Sequence, residues 1–444
     1  MNIIELIIQV TATILSCFAA LISILLFLPL RWPAPVLWIL KLFISGASVV
    51  FASVGVVCTI IGVITGSFSI SIISLYVFLI FSIHIFRITR PPDFTTSFDN
   101  ALGWQLQNHI QKEYFLPSRT ILRLPVVPDA LVEQDLQFAT IPGTCRKLLC
   151  DVWQPSKSIP RSGLAFIYLH GSAFYLLDKD CGTRPLFRQL TAQGHVVMDV
   201  AYRLSPETDM MGMVNDVKRA IAWMRKNAGL YGVNANRIVI GGGSAGAHLA
   251  LLAAYTSNNS QFTPTELIAT DISVNGVISF YGISDLTELY YHTGQHLTTR
   301  SVPGKPKKAV PIRIPEWIVK RMGEDYHRLG FDKGFEDAGA LAPLLGGHPD
   351  ECPETYALFS PITHVHNDCP PTLLIHGEHD TMTPVKSIRF LYSSLIEKRV
   401  EALIHILPQT DHAFDLIMPD ISPSAHNALY DVERFLEFII GKDK

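Results

Sequence analysis

Ile238-Val-Ile-Gly-Gly-Gly-Ser-Ala-Gly-Ala-His-Leu-Ala-Leu-Leu-Ala-Ala-Tyr255 is the stretch whose reading decides the fold. The β-branched run Ile238, Val239, Ile240 reads as a short buried strand. From Ala247 to Tyr255 an apolar run of helical period follows. Between the two lies Gly242-Gly243-Ser244-Ala245-Gly246, a G-x-S-x-G at a strand-to-helix junction. In that setting the serine occupies a strained turn that pushes its Oγ into a cleft, above a helix N-terminus that favours developing negative charge. A glycine-rich turn can also cradle phosphate, but the lysine that a P-loop needs is missing here. Ser244 is therefore the candidate nucleophile.

Outward from this elbow, the chain alternates strands with helices. Residues 136–140 and 148–153 read as an opening antiparallel pair, and 164–169 and 195–200 as buried strands. A helix is expected over 214–227, with Val217, Ile221 and Met224 on one face. Strands follow at 274–281, 372–376 and 402–407, and a closing helix at 425–440. This rhythm predicts an α/β class fold, a mostly parallel central sheet flanked by helices on both faces. The stretch 286–370 interrupts it. It is long and rich in proline, carries the basic cluster Lys305-Pro-Lys-Lys308 and has a helical patch at 317–323. An insertion of that size reads as a cap or binding segment.

The 444 residues are 48% hydrophobic and carry a formal net charge of −3. A near-neutral balance gives no electrostatic footprint for nucleic acid. The apolar excess is concentrated in the first ninety or so residues. Runs at about 6–28, 42–64 and 68–86 are each long enough to approach the thickness of a bilayer core. Small residues are frequent in the second, as suits close helix packing in lipid. A cleaved signal peptide is disfavoured, because no Lys or Arg precedes the first run and two more runs follow. Residues 1–90 are therefore expected to be a transmembrane region, 91–131 a linker and candidate lid element with an amphipathic helix at 104–116, and 132–444 the catalytic-type domain. Arg31 and Lys41 lie in or beside the first loop, and Arg87 and Arg90 follow the third run. The positive-inside rule then makes the protein multi-pass with its large domain in the cytosol, and leaves the Asn258-Asn-Ser260 sequon unused. The seven cysteines show neither a disulfide framework nor metal spacing.

Four further features agree with the elbow. Tyr168-Leu-His170-Gly171-Ser172-Ala173 follows a buried strand and offers backbone N–H groups to an oxyanion. Ala201-Tyr-Arg-Leu-Ser-Pro-Glu207 ends another strand. Leu374-Ile-His-Gly-Glu-His-Asp380-Thr-Met-Thr-Pro384 is a strand followed by an acid-bearing turn. Gln409-Thr-Asp-His412-Ala-Phe-Asp415 is a loop after the last strand. The order Ser244, Asp380, His412 is the Ser…Asp…His order of this sheet type. Acyl transfer needs such a trio: a base to take the serine proton and an acid to hold the imidazole in one tautomer. His376 and His405 fall within expected strands and pack with the sheet. Glu378 competes with Asp380 for the acid; Asp380 is favoured because it lies further along the turn and precedes Pro384.

Together, His170-Gly171-Ser172, Tyr202-to-Glu207, Gly242-to-Gly246 and Gly377-x-x-Asp380-x-x-x-Pro384 resemble the hormone-sensitive-lipase-like branch of the α/β-hydrolase fold, from about residue 132 to the C-terminus. The resemblance implies Ser244 as nucleophile, His412 as base, Asp380 as acid, and the backbone N–H groups of Gly171, Ser172 and Ala245 as the oxyanion hole. It also shows departures. Ser172 and Ala173 stand where the family has glycines, Ala201 where it has Asp, and Gly243 where its elbow commonly has Asp. Loss of the triple glycine bears on the acceptance of bulky tertiary-alcohol esters.

The expected function is a membrane-anchored serine hydrolase acting on a hydrophobic carboxylic ester, with the bilayer as partner and neither cofactor nor metal. An acyltransferase or cyclase using the same triad, an amidase, and a non-catalytic hydrolase-like binding protein are the alternatives that the sequence leaves open.

Overall fold

The computed structural model describes residues 3–30, 35–92, 113–294 and 339–442. An eight-stranded sheet runs in the order β1-β2-β4-β3-β5-β6-β7-β8. Its strands are β1 (Leu131–Thr140), β2 (Lys147–Gln154), β3 (Ala165–Leu169), β4 (Val196–Ala201), β5 (Ile238–Gly243), β6 (Gly276–Phe280), β7 (Thr372–Gly377) and β8 (Ala402–Leu407). The pairs β1–β2 and β2–β4 are antiparallel, and every other pair is parallel. β3, β5, β6 and β7 are buried at every residue, as strands covered on both faces must be.

Because successive side chains of a strand point to opposite faces, the strands feed two separate cores. Ile167, Ile238 and Ile240 enter one, with α6 (Met210–Lys226), α7 (Ala245–Tyr255) and α11 (Val385–Glu397). Phe166, Tyr168 and Val239 enter the other, with α5 (Arg184–Ala192) and α12 (Pro423–Gly441). Between β6 and β7 lie α8 (Leu286–His292), α9 (Leu341–Leu345) and α10 (Pro353–Leu358). The helical patch at 317–323, the basic cluster at 305–308 and residues 104–112 of the helix expected at 104–116 lie outside the described residues, and 113–116 form a turn and not a helix.

Among the described residues, four apolar helices precede the sheet: α1 (Ile3–Phe27), α2 (Pro35–Gly46), α3 (Ser48–Ile64) and α4 (Phe68–Ile88). Of these, α1 and α4 are long and apolar enough to cross a membrane. The run expected as one helix over 42–64 is instead a pair, α2 and α3, meeting at 65°. The physical reason is packing. Leu42 and Trp38 of α2 belong to the α5/α12 core of the sheet, so α2 follows the large domain while α3 turns away with α4. The α3–α4 contact is close, because a Cβ on Gly55 would lie 2.5 Å from Phe78 N and one on Gly62 2.7 Å from Ser71 N. Ser16 and Ser74 satisfy one another between α1 and α4 at 2.7 Å. Outward, Ile14, Phe18, Leu21, Ile60, Val63 and Phe86 are exposed. Gln9 near the start of α1 donates to Thr65 O at the α3–α4 turn (3.4 Å), whereas Ile88 at the end of α4 is capped by Asn427 of α12. The helix bundle thus has one end at the large domain and the other remote from it.

Candidate active site

The elbow is built by close approach. Ser244 has φ 54° and ψ −120°, a left-handed φ that is strained for a residue with a Cβ. It is held there by its own N–H donating to Phe280 O (3.0 Å) and by His248 N–H donating to Ser244 O (3.0 Å). The flanking glycines are required: a Cβ on Gly242 would lie 2.2 Å from Leu169 O, and one on Gly246 2.1 Å from the same atom. Within 238–255, Ser244 is the single residue that is not buried.

Above it runs the turn after β3. A Cβ built on Gly171 would touch Ser244 Cβ at 3.5 Å, so this backbone passes directly over the serine. Tyr202 fixes the turn: its hydroxyl donates to His170 O (2.7 Å) and lies 2.8 Å from Ser172 Oγ, while its ring stacks on His170 at 4.5 Å. The next residue, Arg203, pairs doubly with Asp216 of α6 at 2.7 and 2.8 Å. Hence the Tyr-Arg of the Ala201–Glu207 motif braces the candidate oxyanion turn against a helix. Ala173 adopts φ 46°, a conformation that costs a non-glycine residue roughly 1–2 kcal/mol. This is the position where the family would place a glycine.

The candidate acid and base come from the loops after β7 and β8, two strands paired up to Gly377↔Leu407. His412 Nδ1 meets Asp380 Oδ2 at 2.8 Å. Asp380 Oδ1 accepts from Met382 N (2.9 Å) and Thr383 N (2.7 Å), and the Thr383 hydroxyl donates to Oδ2 (2.9 Å). Burial pushes the Asp380 carboxyl up, but the His412 and His376 rings and the backbone donor of Thr383 outweigh it, so it sits below its ordinary range. Tyr281 packs on the imidazole at 4.5 Å between ring centroids and donates to Asp415 Oδ1 at 2.7 Å. Burial raises the Asp415 carboxyl to about 6. A Cβ on Gly243 would meet the Tyr281 hydroxyl at 2.9 Å, so the Tyr281 ring stands between the elbow and the His412 loop.

The structure therefore brings Asp380 and His412 into contact and sets both loops at the same sheet edge as Ser244, beyond the carboxyl ends of the strands where α/β proteins hold ligands. No hydrogen bond joins Ser244 Oγ to His412 among the described residues. Catalytic hydrogen bonds are often long in unliganded sites and tighten with substrate. Glu378 points elsewhere: its Oε2 accepts from Gln409 N (3.0 Å). His405 pairs with Asp431, and His376 contacts Thr383 O at 3.2 Å. Thr383, Tyr281 and Tyr202 were not singled out by sequence. Tyr202 and Thr383 each leave a signal through the quoted motif that contains them, whereas Tyr281 lies only at the end of an expected strand.

Fold and site together define an α/β-hydrolase. More particularly, the motifs of the chain resemble the hormone-sensitive-lipase-like branch, and comparisons with known proteins find esterases among its relatives. Residues 150–310 match the BD-FAE family and 337–442 the prolyl oligopeptidase family. The chain is 29% identical over 288 residues to a probable carboxylic ester hydrolase, LipM, of Mycobacterium tuberculosis, covering 64% of this chain and 57% of that one. It is 28% identical over 326 residues to esterase LipQ of the same organism, covering 72% and 67%. The chain thus spans roughly three fifths to two thirds of the length of these relatives. Among solved structures it is similar in fold to esterase B of Lactobacillus Rhamnosis, with TM-score 0.51, 18% identity, and coverage of 72% of this chain and 89% of that one.

Proposed function

We propose that the chain is a membrane-anchored serine hydrolase that cleaves a carboxylic ester of a hydrophobic substrate through an acyl-enzyme. The observation that carries this is the His412–Asp380 contact at 2.8 Å on the same sheet edge as a strained, solvent-reachable Ser244. In this reading His412 Nε2 takes the Ser244 proton as Oγ attacks the ester carbonyl. Asp380 holds Nδ1–H and balances the imidazolium that forms. The backbone N–H groups of Gly171, Ser172 and Ala245 receive the oxyanion. His412 then returns its proton to the departing alcohol, and water repeats the cycle on the acyl-Ser244.

The exposed apolar faces of α1, α3 and α4 support lipid as their surroundings, since apolar surface on this scale is otherwise covered. In the proposed arrangement these three helices span the bilayer and α2 lies at the domain. The large domain then shares the basic, cytosolic side with Arg31, Lys41, Arg87 and Arg90. A bilayer beside the site favours an apolar acyl or alcohol group. The test is fluorophosphonate labelling followed by a series of p-nitrophenyl esters of increasing chain length. Wild type is expected to label and to turn over esters, and Ser244→Ala to do neither. Labelling that persists in Ser244→Ala refutes the assignment.

A further inference from the structure

Lys41 lies on α2, one of the N-terminal helices, yet it is 1% exposed and points into the loop that carries His412. Its ammonium donates to Leu28 O (2.9 Å), lies 3.2 Å from His379 Nδ1, and faces Asp411 Oδ2 at 3.5 Å. Asp411 immediately precedes His412 and is itself buried. Its other oxygen, Oδ1, accepts from His412 N (2.8 Å), Thr381 N (2.9 Å) and the Thr381 hydroxyl (3.1 Å). One carboxylate thus clips the backbone of the candidate base to the chain neighbour of the candidate acid. Its Oδ2 has no hydrogen-bond partner among the described residues, which leaves the Lys41 ammonium as the charge that compensates it.

A second grip comes from α4. His84 contacts Gln409 Oε1 at 3.0 Å through Nδ1 and Ser45 Oγ of α2 at 3.0 Å through Nε2. The 409–412 loop is therefore held from the helix bundle at both ends. Around Lys41 the facing charged and titratable groups are Asp411, Asp380 and Glu378 from the two loops, with His379 beside them.

We propose that Lys41 is a positioning residue of the active site: by holding Asp411 it sets the backbone of His412 and of the acid loop, so that turnover requires α2 to be docked on the hydrolase domain. The inference rests on the reading of His412 as the base. Burial pushes the Asp411 carboxyl above its ordinary range and the charge of Asp380 adds to this, with the Lys41 ammonium opposing both. Without the ammonium, Asp411 either keeps an uncompensated buried charge or takes up a proton. Both outcomes disturb the clip, because breaking a buried pair from one side leaves the other partner unsatisfied. Displacements on the order of 1 Å at a catalytic group lower rates by about 10²-fold.

The test uses the full chain in detergent or nanodiscs with p-nitrophenyl butyrate, comparing wild type, Lys41→Met, Asp411→Asn, the double variant and Ser244→Ala. Lys41→Met is expected to lower kcat about 10- to 100-fold with KM changed by less than about threefold, since the loss is of geometry and not of substrate contact. The double variant removes both charges and is expected to recover most of the kcat lost in either single one. If Lys41→Met fails to fold, the rescue of Asp411→Asn by Lys41→Met carries the test. The proposal is overturned if Lys41→Met keeps kcat within about twofold of wild type, or if the double variant shows the product of the two single losses. An inactive Ser244→Ala beside a fully active Lys41→Met refutes this inference alone, whereas an active Ser244→Ala refutes the serine–histidine reading beneath it.

Discussion

Asp380→Asn tests the proposed acid in a way that the hydrogen bonds make unusually directional. Asp380 Oδ1 accepts from two backbone N–H groups, Met382 and Thr383, while Oδ2 faces His412 Nδ1. An asparagine has one oxygen and one NH₂. Turning the NH₂ toward Met382 and Thr383 would oppose donors to donors and lose two buried hydrogen bonds at about 1–3 kcal/mol each. The oxygen therefore stays on the backbone donors, and the NH₂ is directed at His412 Nδ1. That nitrogen must then accept, which puts the ring hydrogen on Nε2, the tautomer that cannot take a proton from Ser244. A comparable substitution in another triad lowers kcat by about 10⁴, which corresponds to about 5.5 kcal/mol of transition-state stabilisation. The expected result is a kcat loss near that size on p-nitrophenyl butyrate, with thermal unfolding close to wild type and KM little changed. Glu378→Gln serves as the comparison and is expected to be mild, because Glu378 bonds Gln409 N and not the imidazole. If Asp380→Asn keeps more than about a tenth of kcat while Glu378→Gln collapses it, the reasoning is refuted.

Two further outcomes follow from the same geometry. Gly246→Ala places a Cβ 2.1 Å from Leu169 O and 2.5 Å from His170 O; since both are backbone atoms, a loss at or above the usual 1–3 kcal/mol of overpacking is expected, read as a lower midpoint in thermal unfolding, and a wild-type midpoint would contradict the close-approach account of the elbow. The proposed topology predicts that Asn258 carries no glycan and that protease added to sealed microsomes digests the hydrolase domain. A glycosidase-sensitive mass shift abolished by Asn258→Gln would place that domain in the lumen instead.

What the sequence by itself determined is local. The β-branched run before Gly242, the small-residue helix after Gly246 and the buried runs at β3, β6, β7 and β8 identify themselves by period and by turn chemistry, because both are set by neighbours within a few residues. The apolar stretches of α1 and α4 are legible for the same reason. Composition also shows why α3 packs so closely, since Gly55 and Gly62 stand at its contacts with α4. Tertiary structure alone decided the rest. The sequence favours Asp380 over Glu378 only by its place in the turn, and it is the turn pairing Thr383 N and Met382 N with one carboxylate that aims Asp380 at His412. The break between α2 and α3 follows from Leu42 and Trp38 joining a core whose members reach as far along the chain as Ile440. Lys41 reads as an ordinary flanking lysine at a span end, yet it is buried against Asp411 and His379. His84, which reads as an isolated histidine in an apolar run, meets Gln409 in the same way. A buried polar group must be satisfied by whatever partner the fold brings to it, and no local pattern records a partner more than three hundred residues away.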